Sequence, residues 1–343
     1  MQNLIDDSDI DVAVIACMKD EGPFILEWVS YHRSIGIRDF VIISNDCCDG
    51  TDLILDRLDD LGIVKHLPNP SMLDLFDEPV QHVAIAYAQL TKEIKRADWV
   101  LIIDADEFLN IQVGDGSLSA LFEAIGDVDA ISFNQVVFGS SSVVEFRDRP
   151  TLEQFTYRFR FERPSSEVFP RMYGIKTLAR NDTKLFRRHA NHRPIPFRRR
   201  ATPPKWLDGS GQDMPDRFQQ ALPRGHRSEY GSHSLAYINH YAVRAAQTFI
   251  LQSFRGDAVD SAIRRDYRYW QRYDRNDIKD ETILDKAEKA KPELARLMED
   301  ESLRKLHNSA VDYYHEKLRN GLRKDEVRKL YEHITMPKSG SDG

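Results

Sequence analysis

Asp-Trp-Val-Leu-Ile-Ile-Asp-Ala-Asp-Glu-Phe, residues 98–108, is the stretch of sequence that decides the fold. Its apolar run 99–103 is short and rich in β-branched residues, which predicts a buried strand of a parallel sheet. Two carboxylates one residue apart, Asp104 and Asp106, follow directly. Ligands of open α/β sheets bind outside the carboxyl ends of the strands. We therefore expect both carboxylates at a ligand site, facing the same way from an extended segment.

The spacing of these two carboxylates indicates a metal site. Hard oxygen ligands suit Mg²⁺ or Mn²⁺, which proteins commonly share with the phosphates of a substrate. The alternative is a solvated acidic loop that caps the next element. An Asp-x-Asp pair alone does not separate the two interpretations, so the surrounding sequence has to decide between them.

The first half of the chain alternates between strand and helix patterns. Apolar, β-branched runs predict strands at 11–17, 40–43, 63–67, 99–103 and 130–138. Helical spacing predicts helices over 24–35, from Thr51 to Gly62 with Leu53 and Leu61 on the buried side, from Pro79 to Ile94, and after the cap residue Ser117. This alternation is typical of a parallel sheet covered by helices, so the predicted class is α/β.

The pattern changes after Gly139. Residues 139–235 are rich in Pro, Arg and Ser, which predicts irregular structure with short strands at 154–161 and 175–180. A last strand is predicted at 236–241, then a helix ending at Gly256, then charged helices with breaks at 274–280 and at Pro292. The predicted division is a domain 1–256 with halves 11–138 and 139–256, a helical extension 257–335 and a disordered tail 336–343.

The distribution of charge points to an anionic partner. The chain has 343 residues and a net charge of −7, yet residues 158–205 contain fourteen basic and three acidic side chains. Such a block predicts a face that meets a nucleotide diphosphate, a phosphorylated acceptor or lipid head groups. The alternative is that these cations pair with acids elsewhere in the fold. Nucleic acid is not expected, because no recognised binding module is visible.

No segment predicts export or a membrane span. The first residues are acidic, and no apolar run approaches the ~20 residues of a membrane helix. Cys17, Cys47 and Cys48 make neither a disulfide framework nor a zinc site. We expect a cytoplasmic protein that can lie at the periphery of the inner membrane through its basic segment.

An ordered set of motifs carries a resemblance to a known family. The set comprises Lys-Asp-Glu-Gly-Pro-Phe-Ile-Leu-Glu-Trp at 19–28, Tyr-His-Arg-Ser-Ile-Gly at 31–36, Asn-Asp-Cys-Cys-Asp-Gly-Thr at 45–51, Asp-Ala-Asp-Glu-Phe at 104–108, Asn-His-Tyr-Ala-Val-Arg at 239–244 and Phe-Arg-Gly at 254–256. With these motifs the chain resembles bacterial family-2-like glycosyltransferases of the GT-A fold, related to the family 92 type. Two departures affect the nucleotide pocket. Ser44, Cys47 and Cys48 stand where Asp and two serines are more frequent, and Asp20 stands where Asn is frequent.

The resemblance implies a GT-A fold, a mostly parallel nucleotide-binding sheet flanked by helices, here with a helical C-terminal extension. It also implies a divalent ion, Mn²⁺ or Mg²⁺, that bridges the two phosphates of a nucleotide-sugar. Asp106 is expected to bind this ion directly, and Asp104 to reach it through water or to bind the ribose. Glu107 either orients them or faces solvent. The third ligand is expected to be His240, with His192 as the alternative.

Further polar residues are candidates for the nucleotide. Short side chains at strand ends suit the base and ribose, which applies to Glu21, Asn45, Asp46 and Asp49. The alternative for Asp49 is a capping role at the following helix. Phosphate is expected to meet basic side chains, for which Lys176, Arg193 and Arg244 are the candidates.

An inverting transfer needs a carboxylate that takes the proton of the attacking acceptor hydroxyl. Inversion is implied by the resemblance alone. Five carboxylates lie in the acceptor-side region, and their spacing does not select among them: Glu145, Glu153, Glu167, Asp182 and Asp208.

The predicted function is therefore a metal-dependent glycosyltransferase of surface-polysaccharide biosynthesis. It would move a sugar from a nucleotide-sugar, UDP-linked by expectation, to a glycan or lipid-linked acceptor. One alternative is a non-catalytic nucleotide-sugar-binding protein. Another is a phosphatase of the haloacid dehalogenase type. In that type Thr or Val is expected at the position of Phe108, so this chain departs from its motif. Donor sugar, acceptor, linkage and oligomeric state stay open.

Overall fold

The computed structural model describes residues 10–70, 79–160, 174–197, 202–214, 233–255 and 265–336. Its centre is a nine-stranded sheet. The strands are β1 (Val12–Met18), β2 (Asp39–Ser44), β3 (Lys65–Pro68), β4 (Trp99–Ile102), β5 (Glu107–Ile111), β6 (Ala130–Val137), β8 (Ile175–Arg180), β11 (Trp206–Asp208) and β12 (Ala236–His240). Short strands β7 (Tyr157–Arg158) and β13 (Ile278–Lys279) pair with each other, as do β9 (Phe186–Arg188) and β10 (Ile195–Pro196).

The strand directions place the site at one edge of this sheet. The order is β3-β2-β1-β4-β8-β6-β12-β5, and β11 pairs with β6. β1 to β4 run parallel, and so do the pairs of β6 with β11 and with β12. β8 is antiparallel to both β4 and β6, and β5 is antiparallel to β12. The first residues of β8 and β5 therefore lie at the same edge as the last residues of β4, β6 and β12.

Helices pack against the sheet, and further helices follow it at the C-terminal end of the described chain. They are α1 (Ile25–Ser34), α2 (Thr51–Asp60), α3 (Val80–Ala88), α4 (Lys92–Arg96), α5 (Leu118–Ile125), α6 (Thr151–Gln154), α7 (Ala246–Arg255), α8 (Tyr267–Tyr273), α9 (Leu284–Glu299), α10 (Glu301–Gly321) and α11 (Asp325–Thr335). Ala287 and Leu297 of α9 and Ala310 of α10 belong to the same hydrophobic core as the strands. The predicted boundary at residue 256 stays a prediction.

The α/β class with a mostly parallel sheet and C-terminal helices is confirmed. The four strands β1 to β4 lie within about two residues of their predicted bounds. The reason for β1, β2 and β4 is that each contains an apolar run buried on both faces. Ser117 caps α5 as expected, because its side chain accepts a hydrogen bond from the backbone N–H of Ala120 at 3.2 Å.

Two helix predictions are wrong. The helix from Pro79 is not continuous: α3 ends at Ala88, and Thr91 caps the separate helix α4. Leu53 and Leu61 are not on the buried side of α2, since they are 52% and 40% exposed while Ile54, Leu55 and Leu58 are buried.

The predicted break at Pro292 is also wrong. Pro292 lies inside α9, whose buried face on the core keeps the helix continuous although a backbone donor is missing. The break falls at Asp300, whose side chain accepts a hydrogen bond from the N–H of Leu303 at 2.9 Å and caps α10. Among the described residues, no helix combines the length and the apolar character needed to cross a membrane. Residues 337–343 of the predicted tail lie outside the described part of the chain.

Candidate active site

A tight turn connects β4 to β5 and carries the acidic motif. The backbone N–H of Asp104 donates to Oε2 of Glu107 at 2.8 Å, and the N–H of Glu107 donates to the Asp104 carbonyl at 3.1 Å. The indole N–H of Trp28 donates to both carbonyls, at 3.2 Å for Asp104 and 2.9 Å for Glu107. The expectation of an extended segment is therefore wrong. The turn gives Asp104 and Asp106 different partners.

Asp104 belongs to a closed ring of hydrogen bonds with three other side chains. Lys176 donates to Asp104 Oδ2 at 2.9 Å and to Asn191 Oδ1 at 2.7 Å. Asn191 donates to Gln81 Oε1 at 2.9 Å, and Gln81 donates to Asp104 Oδ1 at 2.9 Å. The ring joins α3, the end of β4, the start of β8 and the loop between β9 and β10. Both carboxylate oxygens of Asp104 are thereby engaged.

Glu107 is the second carboxylate held by Lys176. Its Oε2 lies 3.2 Å from the ammonium, and its Oε1 accepts a hydrogen bond from Gln135 of β6. Glu107 and Lys176 are fully buried, whereas the Asp104 side chain is 32% exposed. Of the two alternatives for Glu107, the one in which it faces solvent is wrong, because β5 begins at Glu107 and carries it into the sheet.

Burial and the ion pairs set the charges of this group. Burial opposes the charge of Lys176, yet Asp104 and Glu107 raise its pKa above the ordinary range. Burial likewise opposes the charge of Asp104, but Lys176 overcomes it and lowers the pKa of that carboxyl, with smaller contributions from His192 and His240. Burial raises the pKa of Glu107 despite Lys176. Asp104 and Lys176 are therefore a stable charged pair.

Asp106 faces a different partner, His240. Its Oδ2 lies 3.8 Å from Nε2 of His240, and the Asp106 carbonyl accepts the N–H of Tyr241 at 2.8 Å. The antiparallel pairing of β12 with β5 sets this contact, because His240 is opposite Glu107. The ring of Tyr273, from α8, stands edge-on to His240 with centroids 5.9 Å apart.

Asp106 and His240 could hold the expected divalent ion between them. With bonds of about 2.1 Å, an oxygen and a nitrogen 3.8 Å apart can both reach one ion, and a closer approach to about 3.0 Å would make them neighbouring octahedral ligands. Within the described part of the chain, no group of three or more His, Cys, Asp or Glu side chains is arranged to hold a metal. Mg²⁺-type ions are usually bound by one or two carboxylates together with substrate phosphates. The pair therefore suits an ion that a bound diphosphate completes.

The alternative ligand, His192, is placed differently. Its Nδ1 lies 3.1 Å from the carbonyl of Ile175, and its own carbonyl accepts the hydroxyl of Thr177 at 2.9 Å. These contacts hold residue 192 against β8. Arg193 is buried beside it, and burial lowers the pKa of its guanidinium.

The loops after β1 and β2 contain the candidates for the nucleotide. Glu21 is buried and accepts a hydrogen bond from Arg244 at 2.8 Å. Asp49 is buried as well and accepts from the N–H of Gly22 at 2.8 Å and from the N–H and hydroxyl of Thr51 at 2.9 and 2.6 Å. These contacts agree with the alternative that Asp49 has a structural role at the start of the following helix. Burial raises the pKa of this carboxyl.

Asn45 and Asp46 lie closer to the surface than Glu21 and Asp49. Asn45 donates its N–H to the Met18 carbonyl at 3.0 Å, which keeps the two loops together. The Asp46 side chain is 72% exposed and lies 3.2 Å from the ammonium of Lys19. Its backbone φ is 49°, a left-handed conformation that a non-glycine residue rarely adopts. Among these four candidates, Asn45 and Asp46 are thus the accessible ones.

The base candidates have local partners. Glu145 pairs with Arg147 at 3.1 Å, and Glu153 pairs with Lys291 at 2.9 Å. Asp182 accepts the N–H of Lys184, and Asp208 accepts those of Ser210 and Gln212. Glu167 lies outside the described residues. These contacts do not select a base.

Part of the basic segment is paired inside the fold. Arg158 pairs with Asp280, and Arg180 lies 2.7 Å from Asp127. Lys176 is the buried cation of the ring described above. For these three residues the structure agrees with the alternative that the cations pair with acids of the same chain.

Gln81, Gln135, Asn191 and Tyr273 are site residues that sequence reasoning missed. The helix start after Pro79 places Gln81 in a first turn, but a start signal does not tell which way a side chain points. Asn191 and Tyr273 reach the site only through the pairing of distant segments.

The chain matches no family model. It is 26% identical over 106 residues to a glycosyltransferase family 92 protein from Ricinus communis. The aligned stretch covers 30% of this chain and 18% of that protein, so the chain spans less than a fifth of its relative.

Among solved structures, the chain is similar to S. aureus TarS 1–349 in complex with UDP, with 14% identity, a TM-score of 0.26 and coverage of 37% of this chain and 36% of that one. The same TarS 1–349 is matched in another structure with 12% identity, a TM-score of 0.29 and coverage of 50% and 47%. The resemblance indicated by the motifs is confirmed: the chain is similar to a glycosyltransferase family 92 protein, and it has the mostly parallel sheet flanked by helices that the resemblance implies.

Proposed function

We propose that this chain is a glycosyltransferase that moves a sugar from a UDP-linked donor to a hydroxyl of a surface glycan or glycolipid, with Mn²⁺ or Mg²⁺ as cofactor. The observation that carries the proposal is the Asp106–His240 pair, 3.8 Å apart, beside the Asp104 ring at the sheet edge. The family 92 relative, a glycosyltransferase by name, supports the same reaction class.

The roles of the residues follow from their contacts. Asp106 and His240 hold the ion, which when bound neutralises charge that develops on the leaving diphosphate. Asp104 is fixed in the ring and offers its exposed side to a ribose hydroxyl or to an ion-bound water. Asn45 and Asp46 are accessible and lie on the loops where base and ribose are expected.

The acceptor side is proposed from the resemblance. Inversion would require a carboxylate base, for which the five candidates named above remain. A lipid-linked acceptor would bring the protein to a membrane surface. The exposed Arg187 and Arg188 of β9 belong to the basic segment and are available for anionic head groups.

The deciding experiment is a calorimetric titration with UDP, GDP and ADP, each with Mn²⁺ and with EDTA. We expect UDP to bind tightest and Mn²⁺ to tighten it at least tenfold, because the phosphates can occupy positions on the ion that Asp106 and His240 otherwise leave to water. Asp127→Asn, a change of a carboxylate that is 97% exposed, is the matched control and should behave like the wild type. If no nucleoside diphosphate binds in the presence of Mn²⁺, the proposal fails.

Enzymatic assays separate the competing classes. Release of UDP from UDP-sugars, with or without acceptors, supports the transferase. Binding of nucleotide-sugars without hydrolysis or transfer would favour a non-catalytic binding protein. Hydrolysis of p-nitrophenyl phosphate would favour a phosphatase.

A further inference from the structure

The two aspartates of the acidic motif have different side-chain partners in the structure. Asp104 has each oxygen in a hydrogen bond of 2.9 Å, one from Lys176 and one from Gln81. Asp106 lies instead next to a histidine at 3.8 Å. The ammonium of Lys176, 2.9 Å from Asp104, repels a divalent ion that approaches the same carboxylate. The side chain next to Asp106 is instead a histidine, which can itself ligate the ion.

Lys176 is built to keep Asp104 in this state. Its side chain is fully buried, and its three N–H donors meet three acceptors, on Asp104, Glu107 and Asn191. Asn191 and Gln81 close the ring, so that the Asp104 carboxylate is fixed from both sides. A hydrogen-bond network of this kind, anchored on the buried Lys176, favours one geometry.

We propose that Lys176 is a positioning residue that withholds Asp104 from the metal and reserves it for the nucleotide. This inference rests on the proposed function. Each Asp104 oxygen has a second lone pair. On the exposed side of the carboxylate, these lone pairs can accept hydroxyl groups of a ribose while the ring stays intact. The ion then has two protein ligands, Asp106 and His240, and the remaining positions belong to water or phosphate.

The test counts the waters on bound Mn²⁺. Broadening of the Mn²⁺ EPR signal in ¹⁷O-enriched water reports that count, and no nucleotide is needed. In an octahedral ion, the wild type should show about four bound waters. Lys176→Met should show about three, since Asp104 then becomes a third protein ligand, and its Mn²⁺ affinity should rise about tenfold.

A second variant allows for the buried charge that Lys176→Met leaves on Glu107. The double variant Lys176→Met/Glu107→Gln removes both charges and should also show about three waters. Adding Asp104→Asn to the double variant should restore about four. An unchanged water count in the folded double variant overturns the proposal, because a purely electrostatic effect of Lys176 changes affinity and not the number of waters.

A nucleotide readout completes the test. The wild type should bind UDP better than 2′-deoxy- or 3′-deoxy-UDP, and the double variant should lose most of that preference. Lack of UDP binding by the wild type would contradict the proposed function. The water count without nucleotide would still decide the role of Lys176.

Discussion

The hydroxyl of Tyr314 donates a hydrogen bond of 2.6 Å to the backbone carbonyl of Asp20, 294 residues earlier in the chain. Asp20 is buried with a φ of 51°, and its carboxylate accepts the N–H of Cys48 at 2.7 Å and lies 3.4 Å from the ammonium of Lys317. A residue of α10 thus fixes the loop after β1, and that loop fixes the one after β2. The C-terminal helices therefore take part in shaping the expected donor pocket.

Tyr314→Phe should weaken UDP binding about three- to tenfold. Loss of one buried hydrogen bond is typically worth about 1 kcal/mol, and the freed Asp20 carbonyl allows the strained loop to relax. Calorimetry measures the affinity, and Tyr331→Phe on α11 is the matched control. An unchanged affinity for Tyr314→Phe, or equal losses in both variants, would contradict the link between α10 and the donor loops.

His240→Gln and Asp106→Asn should each abolish most of the Mn²⁺-dependent gain in UDP affinity. Either change removes one of the two groups that fit the ion. The measurement is UDP titration with Mn²⁺ and with EDTA, with His192→Gln run in parallel. Loss of the gain in His192→Gln, and not in His240→Gln, would move the ligand role to the alternative histidine.

Arg244→Met should lower the free energy of unfolding by about 3–5 kcal/mol. Arg244 is buried, donates to Glu21 at 2.8 Å and to the Ala105 carbonyl at 3.1 Å, and its guanidinium carbon lies 3.7 Å from the Phe24 ring centroid. Removing it leaves a buried carboxylate without its partner cation. Urea unfolding measures the change.

Two further variants serve as controls for the Arg244 prediction. Arg244→Met/Glu21→Gln should lose less than the single variant, because no unpaired charge remains. Arg328→Met breaks an exposed pair with Asp325 and should cost less than about 1 kcal/mol. Similar losses of unfolding free energy in Arg244→Met and Arg328→Met would show that the buried pair contributes no more to stability than the exposed one.

His32 should make the protein less stable as the pH falls. Burial lowers the pKa of His32 to about 3, while the unfolded chain has a value of about 6.5. Between these two pH values, His32 of the unfolded chain binds a proton, whereas His32 of the folded protein stays neutral. The contribution of neutral His32 is therefore complete above about pH 6.5 and is lost progressively as the pH falls towards 3, by up to about 1.4 kcal/mol per unit.

His32→Gln should therefore reduce the pH dependence of stability between about pH 6 and 4.5, measured by urea unfolding at several pH values. His189→Gln should do the same, since burial lowers the pKa of His189 to about 4. A pH dependence equal to that of the wild type in both variants would exclude buried neutral histidines as its cause.

The main strands and the acidic edge could be predicted from sequence because their signals are local. A buried parallel strand is a continuous apolar run, as in β1 and β4, and Asp104 and Asp106 come directly after such a run. Helix starts were readable for the same reason, as at Ser117. Helix ends were harder to predict. The break after α3 depends on the cap at Thr91, a residue whose position also fits the spacing of one continuous helix.

The partners of the acidic motif could not be predicted, because they depend on strand pairing between distant segments. β8 enters the sheet antiparallel between β4 and β6, which brings Lys176 to Asp104 across 72 positions. β5 was missed because its five residues immediately follow the turn of the acidic motif and its partner β12 comes late in the chain. The register of that pairing, and not any local pattern, places His240 beside Asp106.

The separation of 294 positions between Asp20 and Tyr314 also has a consequence for biosynthesis. During translation the loops after β1 and β2 leave the ribosome long before the tyrosine whose hydroxyl holds the first of them in place. Such long-range contacts slow folding. We expect nascent chains stalled before α10 to contain strands of the sheet and to bind UDP poorly, with binding competence gained when α10 docks.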